Sequence, residues 1–371
     1  MKVTATKPYF SPEGIDFICR NFKDILEGKG FLSSGKNCET FEKNFAAYIG
    51  SKFAATTNSG TSAIEIICRA LGVQGGEVIV PTNTFAATAF AVISAGNTPV
   101  FADCGDDLNI DPGSVLKCIT PKTKAVVTVH IGGLVSPSTT ELVDICQKKG
   151  IYLLEDACHA HGSTLDGKKA GTFGIAGAFS FFSTKVMTTG EGGMIVTNDD
   201  ALYKASLVLR DQAKIVKDGY QNYHEFLGYN WRMAEVQALM GITQLEMLDK
   251  FIARRNEIAR IYDQELAHVA DLSILKKPAN VGHNYYKYIG FLKNSDRNKL
   301  QRRMKDEYTV NMGGYVYEIP LHQQPVFKKY INHPLPRSED LCRRHICPPI
   351  YYGITDEEVR YVADSIRRCL S

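Results

Sequence analysis

Eight consecutive residues, Glu155-Asp156-Ala157-Cys158-His159-Ala160-His161-Gly162, carry two carboxylates, a thiol and two imidazoles. In residue type this resembles a metal site. A tetrahedral zinc centre needs about four converging ligands, and the chain offers no partner cluster of matching type, so no metal is expected. A second reactive group, Lys185, follows the apolar run Ser180-Phe181-Phe182 and precedes the turn Gly190-Glu191-Gly192-Gly193. A lysine just past a buried strand can form a Schiff base when desolvation or nearby positive charge keeps its amine accessible in the neutral form. Its plain alternative is a solvated surface lysine. Upstream, Asn58-Ser59-Gly60-Thr61-Ser62 stands between an apolar run and an amphipathic helix. Free amides at a helix start, with small hydroxyls, make an anion cradle, although Ser and Gly there often only cap the helix. Pro81-Thr82-Asn83-Thr84-Phe85 puts an aromatic at the end of another apolar run.

The elements that must position these groups are legible as alternation. Short apolar runs at 53–57, 77–81, 98–103, 124–129, 151–155, 178–182 and 193–197 read as buried strands. Helical patterns such as 62–71 and 139–150 separate most of them. Strand–helix alternation predicts right-handed crossovers and a mostly parallel seven-stranded sheet covered by helices on both faces, an α/β fold. Ser11-Pro12 starts an N-terminal helix, serine as cap and proline at the first helical position. A long helical pattern from Met233 to Leu266 is read as a connector. The boundary is placed at 245, giving a large domain over 1–245 and a smaller α+β domain over 246–371.

In open parallel sheets, ligands bind outside the carboxyl ends of the strands. Four such ends here carry a cradle, an aromatic, an acid and an amine. Pyridoxal 5'-phosphate uses all four: the cradle takes its phosphate, the aromatic stacks on its ring, the acid keeps the ring nitrogen protonated, and the lysine holds its aldehyde.

The residues also resemble a known family, the PLP-dependent sugar aminotransferases of the DegT/StrS type, with the aspartate-aminotransferase fold (fold type I). The resemblance is carried in order by 34–64, 78–103, LEDACHAHGS (154–163), SFFSTK with GEGGMIVTND (180–199), GYNWRMAEVQALMGITQLEML (228–248) and IPLHQQPVF (319–327). It implies that Lys185 is the cofactor-linked lysine and proton shuttle and that Asp156 partners the ring nitrogen. It implies that Phe85 stacks on the ring and that Gly60, Thr61 and Ser180 bind the phosphate. Asn230 is similar to an asparagine reaching the phosphate from a neighbouring subunit, which implies a homodimer with shared sites. His322 matches a histidine near the substrate, and Arg232 is placed with it on the substrate side. His159 stands where relatives commonly carry glutamine, and Phe85 where many carry tryptophan or tyrosine. Glu155, Cys158 and His161 are expected to be structural.

The activity implied is ping-pong transamination from L-glutamate or glutamine to a keto sugar, foremost a nucleotide-linked 3- or 4-keto-deoxysugar. Keto-cyclitols and small phosphorylated ketones are further acceptors, and a PLP-dependent sugar dehydratase or lyase is the alternative chemistry. Lys185 argues against the dehydratases, which carry histidine in its place. A non-catalytic PLP-binding regulator would have little use for all these groups together. Residues 210–232 mix bases with aromatics and read either as a loop reaching across the dimer towards a diphosphate and a base or as a plain solvated loop.

The bulk numbers fit this reading. In 371 residues, 43 basic and 40 acidic side chains leave a net charge of +3, with no electrostatic case for nucleic acid or a membrane surface. The N-terminus lacks an apolar core followed by a cleavage site. Ten cysteines without a CxxC pair read as reduced thiols of a cytoplasmic protein. Cys342 and Cys347 with His345 form at most half a metal site.

Overall fold

A computed structural model describes every residue of the chain except Asn332. The seven apolar runs become one sheet: β1 (Phe53–Thr57), β2 (Glu77–Pro81), β3 (Thr98–Ala102), β4 (Thr123–Val129), β5 (Tyr152–Asp156), β6 (Ala176–Ser180) and β7 (Gly193–Thr197). Their order across the sheet is β1-β7-β6-β5-β4-β2-β3. All neighbours run parallel except β7, which is antiparallel to both β1 and β6. The expected strand at 178–182 therefore lies two residues earlier. The small residues Ala176 and Gly177 are its first members, and the chain leaves the sheet at Ser180. Gly177 is pressed against Gly171, where an added Cβ would sit 2.4 Å from the Gly171 Cα. Close backbone packing, not side-chain bulk, extends the strand at that end.

The two faces of the sheet bury alternate residues, as the two-residue period of a strand demands. Val78, Val80, Val127 and Ile195 point to one face, against Ile64, Ile67 and Cys68 of helix α3 (Gly60–Ala70) and Val92 of α4 (Ala86–Ser94). On the opposite face, Ala54, Phe179, Met194 and Val196 meet Phe41 and Phe45 of α2 (Lys36–Ile49), and Ile79, Val126 and Leu153 meet Leu142 and Cys146. The N-terminal helix α1 (Pro12–Asp24) begins as expected, with the Ser11 side chain accepting from the Gly14 amide and proline at the first helical position.

The long helix, α5 (Glu235–Leu266), has 32 residues and spans about 48 Å at 1.5 Å per residue. It packs against α1 and α2 near its start and against the last helix, Asp356–Leu370, further on. The C-terminal part adds a three-stranded antiparallel sheet of Leu272–Ile274, Gly290–Leu292 and His345–Ile346. Its core joins Ile258, Tyr262, Leu292, Leu300, Ile346 and Val362, together with Val3 from the N-terminus. We propose that α5 connects the two units and that the smaller one comprises residues 246–371. Residue 245 lies inside this unbroken helix. No helix among the described residues is long and apolar enough to cross a membrane.

Residues 210–232, expected as a loop, contain a two-stranded hairpin of Lys214–Lys217 and Tyr220–His224. Asp218 and Gly219 turn it with φ of +53° and +83°. Two positive φ values match the tight turn that follows the right-handed strand twist, and Asp-Gly is a favoured pair for it.

Buried histidines make the fold acid-sensitive. His161 and His283 are both pushed down to about 3, and His345 to about 4, in each case mainly by burial. Their folded values lie below the ordinary 6.5, so the unfolded chain binds more protons between these limits. Stability is fully present above about pH 6.5 and is lost as pH falls towards 3 to 4. Thermal melts should therefore show Tm dropping steadily from pH 7 to pH 5. A flat Tm over that range contradicts the burial of these rings in the neutral state.

Candidate active site

Four strand ends open onto one cavity of about 470 Å³. Past β1 it is lined by Ser59, Gly60 and Thr61; past β2 by Phe85 and Thr88; past β5 by Asp156, Cys158 and His159; past β6 by Ser180, Thr184 and Lys185. The C-terminal part closes it with Tyr286, Tyr315 and Tyr317. Seven of the residues singled out from sequence thus share one wall: Gly60, Thr61, Phe85, Asp156, His159, Ser180 and Lys185.

The cradle is built by helix capping. Ser59 caps α3: its side chain accepts from the Ser62 amide, and the Ser62 hydroxyl oxygen accepts from the Ser59 amide. This leaves the Gly60 and Thr61 amides in the first turn, where a helix offers no internal acceptor. Aimed at the cavity with the positive end of the helix dipole, they suit a phosphate. Gly60 is required by space, since a Cβ there would lie 2.7 Å from Cys158 Sγ and 2.8 Å from Ser180 Cβ. Gly60→Ala should overpack this corner by about 1–3 kcal/mol and weaken cofactor binding about tenfold or more. A cofactor titration of the apo-protein reads this, and unchanged affinity would remove Gly60 from the cradle.

Asp156 is buried, and its Oδ2 accepts from Thr88 Oγ1 at 2.8 Å while its Oδ1 accepts from the Cys158 amide at 3.2 Å. Among the described residues it has no ion-pair partner. A buried carboxylate without a cation is costly, and a protonated ring nitrogen is the kind of group that would match it. Phe85 is 67% exposed at the N-terminus of α4. A large aromatic left out of the core at the mouth of a cavity presents a free ring face. His159 lies against Tyr286, ring centroids 4.4 Å apart, and its Nε2 is 3.5 Å from Tyr317 Oη. Its Nδ1 is buried with no partner among the described residues. Burial first, then Lys185, Lys287 and His161, hold its pKa well below 6.5, so the ring is neutral. Burial, and then the Asp156 charge, push the Cys158 thiol well above 9, so it stays protonated. An anion cradle, an exposed aromatic, an unmatched carboxylate and an amine fit the phosphate, ring, ring nitrogen and aldehyde of pyridoxal phosphate.

The remaining residues of the opening stretch are spent on structure. Glu155 accepts from His130 Nε2 at 2.8 Å and from the amides of Gly171, Phe173 and Gly174. His161 packs between Phe179 and Phe181. Cys158, expected as structural, lies in the cavity wall. No cluster of three or more His, Cys, Asp or Glu among the described residues is placed to hold a metal ion.

Three singled-out residues lie outside this cavity lining. Asn230 is exposed, and its backbone carbonyl accepts from Asn58 Nδ2 at 3.4 Å. Arg232 pairs with Asp211. His322 is buried between Thr82 Oγ1, 2.7 Å from its Nδ1, and Glu339 Oε1, 2.9 Å from its Nε2. Sequence reasoning missed Thr88, Tyr286, Tyr315 and Tyr317. Thr88 could have been found, since it stands on the first turn of the helix after Phe85. The tyrosines belong to the other end of the chain and carried no local signal.

The fold and these strand ends define a PLP-dependent transferase of fold type I. Residues 13–367 match the DegT/DnrJ/EryC1/StrS aminotransferase family, and the chain belongs to it. It is 34% identical over 353 residues to a GDP-perosamine synthase of Escherichia coli O157:H7, covering 94% of each chain. It is 36% identical to the spore coat polysaccharide biosynthesis protein SpsC of Bacillus subtilis strain 168, covering 91% of this chain and 90% of that one. Among solved structures it superposes with TM-score 0.93 and 26% identity on Helicobacter pylori PseC, an aminotransferase involved in the biosynthesis of pseudoaminic acid, covering 100% and 99% of the two chains.

Proposed function

We propose that this protein moves an amino group from L-glutamate, or glutamine, to the keto group of a nucleotide-linked 3- or 4-keto-deoxysugar. The observation that carries the reading is the meeting of the Gly60–Thr61 cradle, Phe85, Asp156 and Lys185 around one cavity. The likeness to a GDP-perosamine synthase supports the nucleotide-linked acceptor.

When bound, pyridoxal phosphate supplies an aldehyde that takes up the amino group and a ring that withdraws electrons from the bond being broken. The residues of this chain do the rest. The α3 amides and Ser180 anchor the phosphate, and Phe85 covers the ring. Asp156, fixed by Thr88, holds the proton on the ring nitrogen. Lys185 holds the aldehyde at rest. With the cofactor in place, the Lys185 Nζ would be the base that takes the proton from the donor's α-carbon and hands it on. The same steps run backwards on the acceptor.

Among the described residues, Lys185 is the sole lysine or arginine lining the cavity, whereas a phosphate and the donor's carboxylates bring several negative charges. A second copy of the chain, supplying Asn230 to the phosphate and its 214–224 hairpin and Arg232 to the nucleotide, would complete the site. His322, held by Thr82 and Glu339, fixes the segment at the acceptor side.

The test is chemical. The purified protein with PLP and L-glutamate should release 2-oxoglutarate in an amount equal to its sites and then convert one member of a panel of nucleotide-linked keto-deoxysugars to the amine. Consumption of a keto sugar with no amine donor present would instead establish dehydratase or lyase chemistry.

A further inference from the structure

Lys185 also lines a second, much smaller cavity of about 20 Å³. Three parts of the chain enclose it. The turn after β6 brings Ser183 and Lys185, helix α5 brings Gln244 and Arg255, and residues 6–9 of the N-terminal segment complete the wall. That segment is fastened in place. Gln244 Nε2 donates to the Tyr9 carbonyl at 2.7 Å, and the Tyr9 ring lies 4.8 Å from the ring of Tyr352.

Three of the lining side chains are cations, Lys7, Lys185 and Arg255, and none of the lining residues is acidic. None of the three forms an ion pair among the described residues. Arg255 is only 4% exposed. Its Nη1 donates to the Tyr285 and Ile350 carbonyls at 2.9 and 3.0 Å, while its Nε is buried with no partner among the described residues. The Ser183 hydroxyl makes no hydrogen bond among them either.

Carbonyls take hydrogens from a guanidinium but do not cancel its charge. A buried cation without a counter-charge is costly, and two further cations on the same small cavity raise that cost. The volume admits about one water-sized occupant. It is too small for a phosphate or for the carboxylate of a donor amino acid. A water there would accept hydrogen bonds and leave the charge unmatched. A monatomic anion meets both needs, because it accepts from several N–H and O–H groups at once and is negative.

We infer that this cavity is a halide site, in which one chloride is the counter-ion of Arg255 and ties α5 to the N-terminal segment and to the turn that carries Lys185. The inference stands apart from the reading of Lys185 as the reacting amine, since Arg255 and Lys7 supply positive charge in any case.

The direct test is diffraction from crystals of the PLP-loaded protein grown with bromide in place of chloride, where anomalous scattering marks the halide. The expected result is a peak between Arg255, Lys7 and Ser183. A water in its place, a carboxylate of a second copy, or peaks only elsewhere on the surface would overturn the inference. In solution, thermal melts follow the same protein as sodium gluconate is exchanged for sodium chloride at constant ionic strength, so that general screening does not change. Gluconate is too large for the cavity, so Tm should rise by about 2 °C or more and then saturate. A flat or falling Tm overturns the inference even where crystals show a peak, because binding is then at crystal concentration only. Lys7→Met combined with Ser183→Ala removes two donors without touching the buried arginine. It should raise the chloride concentration at half-effect about threefold or more. An unchanged midpoint places the halide elsewhere and overturns the assignment.

Discussion

Lys185→Ala should leave a folded protein with no measurable transamination. The amine has no substitute in the cavity, because among the described residues Lys185 is the sole lysine or arginine in its lining. Lys287 lies over the Tyr286 ring and donates a hydrogen bond to the Gly313 carbonyl. Loss of the group proposed both to hold the aldehyde and to carry the proton should lower the single-turnover rate with L-glutamate by about ten-thousand-fold or more. The fold should survive, since the side chain is half-buried, forms no ion pair among the described residues, and fills none of the packed core. Stopped-flow absorbance and a thermal melt measure the two halves of this expectation. A rate within tenfold of wild type would move the reacting amine elsewhere.

Asp156→Asn should be the next most damaging change, lowering the same rate by about 100–1000-fold. The carboxylate is held from two sides, by Thr88 Oγ1 on Oδ2 and the Cys158 amide on Oδ1, so its direction is fixed. Asparagine keeps that shape but removes the negative charge, and its amide nitrogen can only donate. A ring nitrogen facing it would lose its proton and with it the power to withdraw electrons. Cofactor content should stay near one per chain, because the phosphate cradle is untouched. A near-normal rate with full cofactor content would mean that the ring works here without a protonated nitrogen.

How much of this was legible in the sequence depends on where each element's signal is stored. Strands buried on both faces announce themselves as continuous runs such as Val78-Ile79-Val80 and Val126-Val127, and all seven were found. β6 was set two residues late because its first members, Ala176 and Gly177, are there for close packing against Gly171, and small residues carry little weight in an apolar run. The placement of Lys185, Asp156, Gly60 and Phe85 at the cavity was legible for one reason: each ends or follows a strand, and the carboxyl edge of a parallel sheet is where ligands bind. Chain order alone carries that information.

Contacts between distant parts of the chain were not legible. Tyr286 and Tyr317 reach the cavity from the C-terminal part, and no local pattern around them shows it. His322 looked available, but the fold commits both of its ring nitrogens, to Thr82 and Glu339. The hairpin was a different kind of miss. Asp218-Gly219 is a turn signal, but its flanking strands are exposed and mixed in character, so no apolar alternation pointed to them.

The central claim is that Lys185 and Asp156 hold a cofactor that accepts an amino group from glutamate. The most direct test is the visible absorption spectrum of the purified, PLP-loaded protein before and after addition of L-glutamate. The account predicts a yellow band that bleaches to the pyridoxamine form, with release of 2-oxoglutarate. A protein that takes up no PLP, or whose band appears unchanged in Lys185→Ala, would contradict it.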